Sequence, residues 1–241
     1  MADSMNCILL EPSDFTGDDG RTVRLTGRRM EHVTTVCRCG TGATLKVGLI
    51  GGNTGTGTII RMDSSAMELS VDLVDPPPPP LPLTLIIALP RPKSLKKAVE
   101  AATSLGVKQL YIIESWRVEK SYWTSPVLTP ESLEKHMLLG LEQARDTVLP
   151  VIELRRRFKP FVEDELPVIV KGKTALLAHP YEAQTCPFSI EGSAVLVIGP
   201  EGGFIPYEVD LLKQAGCTSV TIGQRILRVE VAIAAFIGRL W

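Results

Sequence analysis

The stretch with the most chemical content is Ala194-Val-Leu-Val-Ile-Gly-Pro-Glu-Gly-Gly-Phe204, which runs into Ile205-Pro-Tyr-Glu-Val-Asp-Leu-Leu-Lys-Gln-Ala-Gly216. An apolar, β-branched run stops at Gly199-Pro-Glu-Gly-Gly203. A helix pattern then begins, with Pro206 in its first turn and Gly216 at its end. Strand, tight glycine turn, helix is how an α/β sheet makes a ligand pocket at the carboxyl end of a strand. Glycines there let backbone N–H groups approach a ligand and permit positive φ. The spacing excludes a Walker-type phosphate loop, which needs Gly-Lys-Ser/Thr. It also excludes the G-x-G-x-x-G dinucleotide fingerprint. Two further stretches read as strand-end loops, Leu177-Ala-His179-Pro180 and Ile222-Gly-Gln-Arg-Ile-Leu-Arg228. In a parallel sheet three such loops converge. Their backbone groups could recognise a nucleoside, with donors from Gln224, Arg225 and Arg228 and apolar contact from Ile222, Ile226 and Leu227. A tight turn that holds no ligand fits the first stretch equally well.

The elements that must position these loops follow from periodicity. From Leu83 onward strands and helices alternate: strands at 83–89, 108–113, 151–154, 174–179, 194–198 and 218–222, and helices at 94–105, 130–147 and 229–240. That alternation predicts an α/β domain with a mostly parallel sheet. Before it, residues 6–10, 21–25, 43–49, 56–62 and 67–74 read as short strands, with a helix from Arg28 to about Cys37, which predicts a small β-barrel. Between the two lie five consecutive prolines, Pro76–Pro80, then Leu81 and Pro82. Such a run forms a stiff polyproline II rod and is read as a domain boundary. The expected division is 1–75, a 76–82 linker, and 83–241.

Composition is that of an ordinary globular chain: 241 residues, 44% apolar, 22% charged, net charge −1. The overall charge says nothing about nucleic acid, but residues 21–40 carry Arg21, Arg24, Arg28, Arg29 and Arg38 against Glu31 alone. The five scattered cysteines argue against a disulfide framework and for a reducing compartment. Cys37-x-Cys39 lacks zinc-site spacing, so no metal is expected. The first residues show no signal-peptide pattern, and no charge-free apolar run could span a bilayer. The expectation is a cytoplasmic protein without a membrane partner. His32, His136 and His179 are read as packing, helix-face and loop-shaping residues. Arg155-Arg156-Arg157 is read as a solvated charge run that could contact phosphate.

The I-G-P-E-G-G-F stretch followed by I-G-Q-R-I-L-R-V-E-V-A resembles the RsmE family of 16S ribosomal RNA uridine N3-methyltransferases, within the SPOUT superfamily. Glu142-Gln-Ala-Arg145 with Pro150, Leu105-Gly106-Val107, Arg117 and Leu176-Leu-Ala-His179-Pro180 extend the match over most of 83–241. The resemblance implies a SPOUT-type parallel sheet with a C-terminal trefoil knot, an N-terminal PUA-like β-barrel that binds RNA, and a homodimer with its active site at the subunit interface. It also implies an S-adenosylmethionine pocket contributed by Leu177, His179, Ile198, Gly199, Glu201, Gly202, Gly203, Ile222, Gly223, Ile226 and Leu227. Ribosomal RNA would be the substrate, with Arg24, Arg28 and Arg38 as phosphate contacts. Uridine N3 must lose its proton before it attacks a methyl group. An arginine beside the developing anion would stabilise it. Arg228 is the first candidate and Arg145 the second. Glu230 or Glu201 would serve as base or orienting group.

The chain departs from the family where Arg228-Val-Glu-Val-Ala232 stands in place of Arg-Thr-Glu-Thr-Ala. Each valine keeps the shape and gives up a hydrogen bond, about 0.5–1.5 kcal/mol if one was made. This leaves open a non-catalytic RNA-binding assembly factor that keeps the pocket, and a methyltransferase with another RNA target.

Overall fold

Leu83–Ala88 and Ala194–Ile198 contain no charged residue, and every position in both is buried. Continuous apolar runs of this kind belong in strands covered on both faces. The computed structural model describes residues 6–17, 20–35 and 39–241 and puts both runs at the centre of a parallel sheet. By compactness the chain divides into two units: Met1–Pro79 with Leu138–Leu149, and Pro80–Met137 with Pro150–Trp241.

The first unit contains β1 (Ile8–Leu10), β2 (Thr22–Leu25), α1 (Gly27–Thr35), β3 (Thr44–Leu49), β4 (Thr54–Met62) and β5 (Met67–Asp75). Its five-stranded sheet runs β1-β3-β4-β5-β2, antiparallel except for the β1–β3 pair. Alternation along β4 and β5 turns Ile59, Met67, Leu69 and Val71 into one core with Val23, Leu25 and Val47. Gly51, at φ +74°, makes the β3–β4 hairpin that the Gly-Gly-Asn signal predicted.

Leu138–Leu149 was expected to belong with the second domain, but its hydrogen bonds join it to the first unit. The Cys7 N–H donates to the Glu142 carbonyl at 2.8 Å, the Gly51 N–H donates to the Thr147 carbonyl at 2.8 Å, and the Thr147 hydroxyl donates to the Gly52 carbonyl at 2.5 Å. The helix expected to reach Thr147 stops at Ala144, because Arg145 takes a left-handed conformation (φ 55°) that breaks the helical ladder.

The second unit contains β6 (Leu83–Ala88), α2 (Pro92–Ser104), β7 (Gln109–Ile113), the start of α3 (Pro130–Ala144), β8 (Val151–Arg155), α4 (Phe158–Pro160), a π turn over Phe161–Glu165, α5 (Leu166–Val170) and β9 (Thr174–Ala178). It continues with β10 (Gln184–Thr185), β11 (Ala194–Ile198), α6 (Pro206–Gln214), β12 (Thr218–Thr221) and α7 (Val229–Leu240). All seven strands are parallel, in the order β10-β12-β9-β11-β6-β7-β8. Pro92 and Pro206 open α2 and α6 at a first-turn position, where a missing N–H costs nothing. Gly106 and Gly216, both at positive φ, end them. α7 buries Val229, Ala232, Ile233, Phe236, Ile237 and Leu240, a stripe at helical spacing that packs on α2 and β11. His136 lies on α3, as expected, on a buried face, with Nδ1 2.6 Å from Oε1 of Glu100.

Strands β4 and β5 approach so closely at Gly55 that a Cβ there would lie 1.9 Å from the Asp72 carbonyl oxygen. A Gly55→Ala variant should therefore lose about 3 kcal/mol of stability, through forced backbone displacement. A urea titration should show the lower midpoint.

Candidate active site

Three strand ends meet because β9 lies between β11 and β12. Ile198 of β11 pairs with Ala178 of β9, and Ala178 pairs in turn with Val220 of β12. The residues that follow each strand therefore emerge side by side at the carboxyl edge of the sheet. They enclose a cavity of about 510 Å³. That size falls among small-molecule sites, which run from about 300 to 1,000 Å³.

His179, Ile198, Gly199, Glu201, Gly202, Gly203, Ile222, Gly223, Ile226 and Leu227 all line the cavity. Leu177 does not; it is fully buried on β9. Arg117 and Phe204, which the sequence reading named without assigning them to the pocket, and Tyr181 and Lys213, which it did not single out, also line it. Of the donors read from the third loop, Arg225 faces the cavity and Gln224 is absent from its walls.

Two of the turn's glycines have a specific reason. The Gly203 N–H donates to the Pro200 carbonyl at 2.8 Å, closing the turn, and Gly203 sits at φ +70°. A Cβ on Gly202 would lie 3.0 Å from Cδ of Arg117, whose guanidinium donates to the Gly202 carbonyl. Two carboxylates then tie the turn to its surroundings. Glu201 accepts from the Arg91 N–H at 3.1 Å, next to the start of α2. Glu208, 3% exposed, accepts from the Ile205 N–H at 3.0 Å through one oxygen and from the Trp116 N–H at 2.7 Å through the other. One buried carboxylate thus caps α6 and clamps the loop that carries Arg117.

On the opposite wall the His179 N–H donates to the Val220 carbonyl at 3.0 Å, and the Tyr181 ring stands edge-on to the imidazole at 5.8 Å. Burial, and next the positive charge of Lys213, hold the His179 imidazole below its ordinary pKa. Cys217, just before β12, is buried and its thiol is pushed up to about 12, so it is no nucleophile.

The predicted catalytic residues are more scattered. Arg228 is exposed and flanks α7 at its start, between the cavity-lining Leu227 and Val229, without lining the cavity itself. Glu230 lies in the first turn of α7, also outside the cavity wall, and its Oε2 is buried without a hydrogen-bond partner. Arg145 belongs to the first unit. The sequence left Glu201 and Glu230 as equal choices: Glu201 lines the cavity and accepts a backbone N–H through one oxygen, while Glu230 lies off the wall with one buried oxygen unpartnered.

Of the predicted RNA contacts, Arg24 is exposed. Arg28 is engaged by Glu142, Nη2 to Oε1 at 2.7 Å. Arg38 lies outside the described residues. The 155–157 run is not a solvated one throughout. Arg155 is held by Glu165 and Glu153, and Arg156 lies 5.4 Å over the Trp123 ring.

A Glu208→Ala variant strands two backbone N–H groups in a buried place. It should cost about 3 kcal/mol. It should also weaken ligand binding at the glycine turn. Thermal unfolding and ligand calorimetry would measure the two effects.

The comparisons with known proteins agree with this architecture. A family model described as an RNA methyltransferase domain matches residues 77–241. Ribosomal RNA small subunit methyltransferase E 1 of Borreliella burgdorferi is 25% identical over 235 residues, covering 96% of this chain and 95% of the relative. The methyltransferase E of Treponema pallidum is 25% identical over 236 residues, covering 96% of this chain and 88% of that protein. The crystal structure of ribosomal RNA small subunit methyltransferase E from Neisseria gonorrhoeae, bound to S-adenosyl methionine, superposes with a TM-score of 0.71 at 21% identity, covering 97% of this chain and 95% of the other. With a domain model matched over more than half its length, the chain belongs to the RNA methyltransferase domain family.

Proposed function

We propose that the chain transfers the methyl group of S-adenosylmethionine to N3 of a uridine in 16S ribosomal RNA of the small ribosomal subunit. The observation that carries the reading is the cavity at the joined ends of β9, β11 and β12, walled by the glycine turn and the Ile222–Leu227 loop. The relatives, named as small-subunit ribosomal RNA methyltransferases along nearly the whole chain, support the substrate class.

The residues present fit the cofactor. Gly199, Gly202 and Gly203 leave the turn backbone bare toward the cavity, Ile222, Ile226, Leu227 and Phe204 supply apolar walls for an adenine, and His179 in its neutral form adds no positive charge. Bound there, S-adenosylmethionine would supply an electrophilic methyl carried on a sulfonium. The remaining chemistry falls to the chain and the uracil. N3 must be stripped of its proton, which leaves negative charge delocalised onto the flanking carbonyls. Arg228, exposed beside the third loop, is the proposed cation for that charge. Glu230, with its unpaired oxygen, is the proposed proton acceptor or orienting group, and Glu201 is the proposed brace of the turn. Arg145 is kept as the second candidate cation.

The finer architecture belongs to the same proposal. β12 lies beyond β9, although the chain reaches it from β11 on the other side; this supports a trefoil knot. The five-stranded first unit would be the PUA-like, RNA-binding barrel, with Arg24 and Arg28 on phosphates. The protein would act as a homodimer in the cytoplasm. No helix among the described residues is long and apolar enough to cross a membrane.

The test uses purified protein, labelled cofactor and 30S particles that lack the modification. N3-methyluridine should appear in the digested RNA. An Arg228→Ala variant should lose about 100-fold in kcat, as removal of one transition-state donor does, with unchanged cofactor affinity. Cofactor binding without any turnover would favour the non-catalytic assembly factor. Methylation of a different RNA would keep the chemistry and overturn the target.

A further inference from the structure

Among the described residues Trp116 is the most exposed of the large apolar side chains, at 79%. Its backbone is nevertheless held. The Trp116 backbone N–H donates to buried Glu208, and the next residue, Arg117, lies against Gly202 and lines the cavity. The chain thus presents a bare indole one residue from the cavity rim, on backbone clamped by a buried carboxylate. A structural tryptophan in this same unit looks different: Trp123 is 6% exposed and covered by the Arg156 guanidinium.

The exposed charges within four residues of Trp116 along the chain lean positive. Arg117 and Lys120 are exposed, and the Glu208 carboxylate beneath them in the same contact is buried and accepts two backbone N–H groups. Glu119 is the exposed acid of the same loop. Cations beside a flat, exposed aromatic face are the two elements of a single-stranded nucleic-acid site: the cations follow the backbone and the ring takes a base.

We propose that Trp116 is a stacking platform for a base of single-stranded RNA flanking the target uridine, with Arg117 beside it on the phosphate backbone. The proposal rests on the reading that the adjacent cavity serves methyl transfer to RNA. N3 of a uracil lies on its pairing edge, so the target must leave any base pair before it reacts. That unpairing deprives a neighbouring base of a stacking partner. An indole face at the rim would replace the lost stack and hold the strand in register with the cavity.

The experiment compares the full chain with Trp116→Ala and Trp116→Phe, using a labelled, uridine-containing single-stranded RNA oligonucleotide. RNA affinity is read by fluorescence anisotropy, S-adenosylmethionine affinity by calorimetry, and mass in solution by sedimentation. Trp116→Ala should weaken RNA binding about 10-fold, the cost of one lost base stack. Trp116→Phe should recover most of it. Cofactor affinity and mass should not change. RNA binding equal to that of the natural chain would overturn the proposal. So would a change in mass accompanying the loss, since the indole would then be covered by a second copy. Methyl transfer is read separately. Activity in the natural chain with no effect of Trp116→Ala on RNA affinity sinks the platform alone. A 10-fold loss of RNA affinity in a chain that transfers no methyl upholds the platform and removes the proposed reaction.

Discussion

The site depends on one pairing constraint: β9 is hydrogen-bonded to β11 on one side and to β12 on the other, in register at Ala178. Every strand in this sheet is parallel, so all three chains leave at the same edge, and the loops at 179–182, 199–204 and 222–227 have to share one space. A one-residue slip of β9 would turn its side chains to the opposite face and carry His179 away from the glycine turn. The buried strands Ala194–Ile198 and Leu83–Ala88 lie side by side at the centre of the sheet, with β9 paired along the whole of Ala194–Ile198.

A second layer of order comes from carboxylates that bind backbone rather than cations. Glu208 joins residues far apart in sequence, Ile205 at the start of α6 and Trp116 in the loop after β7, and Glu201 joins the turn to the start of α2. These hydrogen bonds keep a glycine-rich turn from collapsing into its own cavity. They also draw Arg117 against Gly202, where a Cβ would make a tight 3.0 Å contact with its side chain. The membership of the chain in an RNA methyltransferase domain family fits a pocket built in this way, from main-chain groups with apolar walls.

Much of this was legible in the sequence. The strand-turn-helix at 194–216 was readable because its signals are local: a β-branched run, glycines that need positive φ or close approach, and a proline at a helix start. The alternation of strands and helices after Leu83 was readable for the same reason. What was missed depends on contacts between distant residues. No pattern links Trp116 to Glu208, 92 positions apart. Nothing in 138–149 announces that it pairs with Cys7 and Gly51, since the apolar spacing of α3 is continuous to Ala144. Arg145 breaks the helix by taking a left-handed conformation, which glycine would have signalled and arginine does not. β10 spans two residues, too short for any period to register. Arg155 and Arg156 read as a solvated run, yet their partners Glu165 and Trp123 come from elsewhere in the unit.

The central claim is that main-chain groups at three adjoining strand ends form a cavity for a methyl-donating nucleoside. A crystal structure of the full chain grown with S-adenosylmethionine tests it most directly. The account predicts density for the adenosine between the Gly199–Gly203 turn and the Ile222–Leu227 loop, hydrogen-bonded to their backbone groups, with the sulfonium methyl open to solvent on the Arg228 side. A cavity filled by Phe204, Ile226 and Tyr181, with the nucleoside bound elsewhere or not at all, would contradict it.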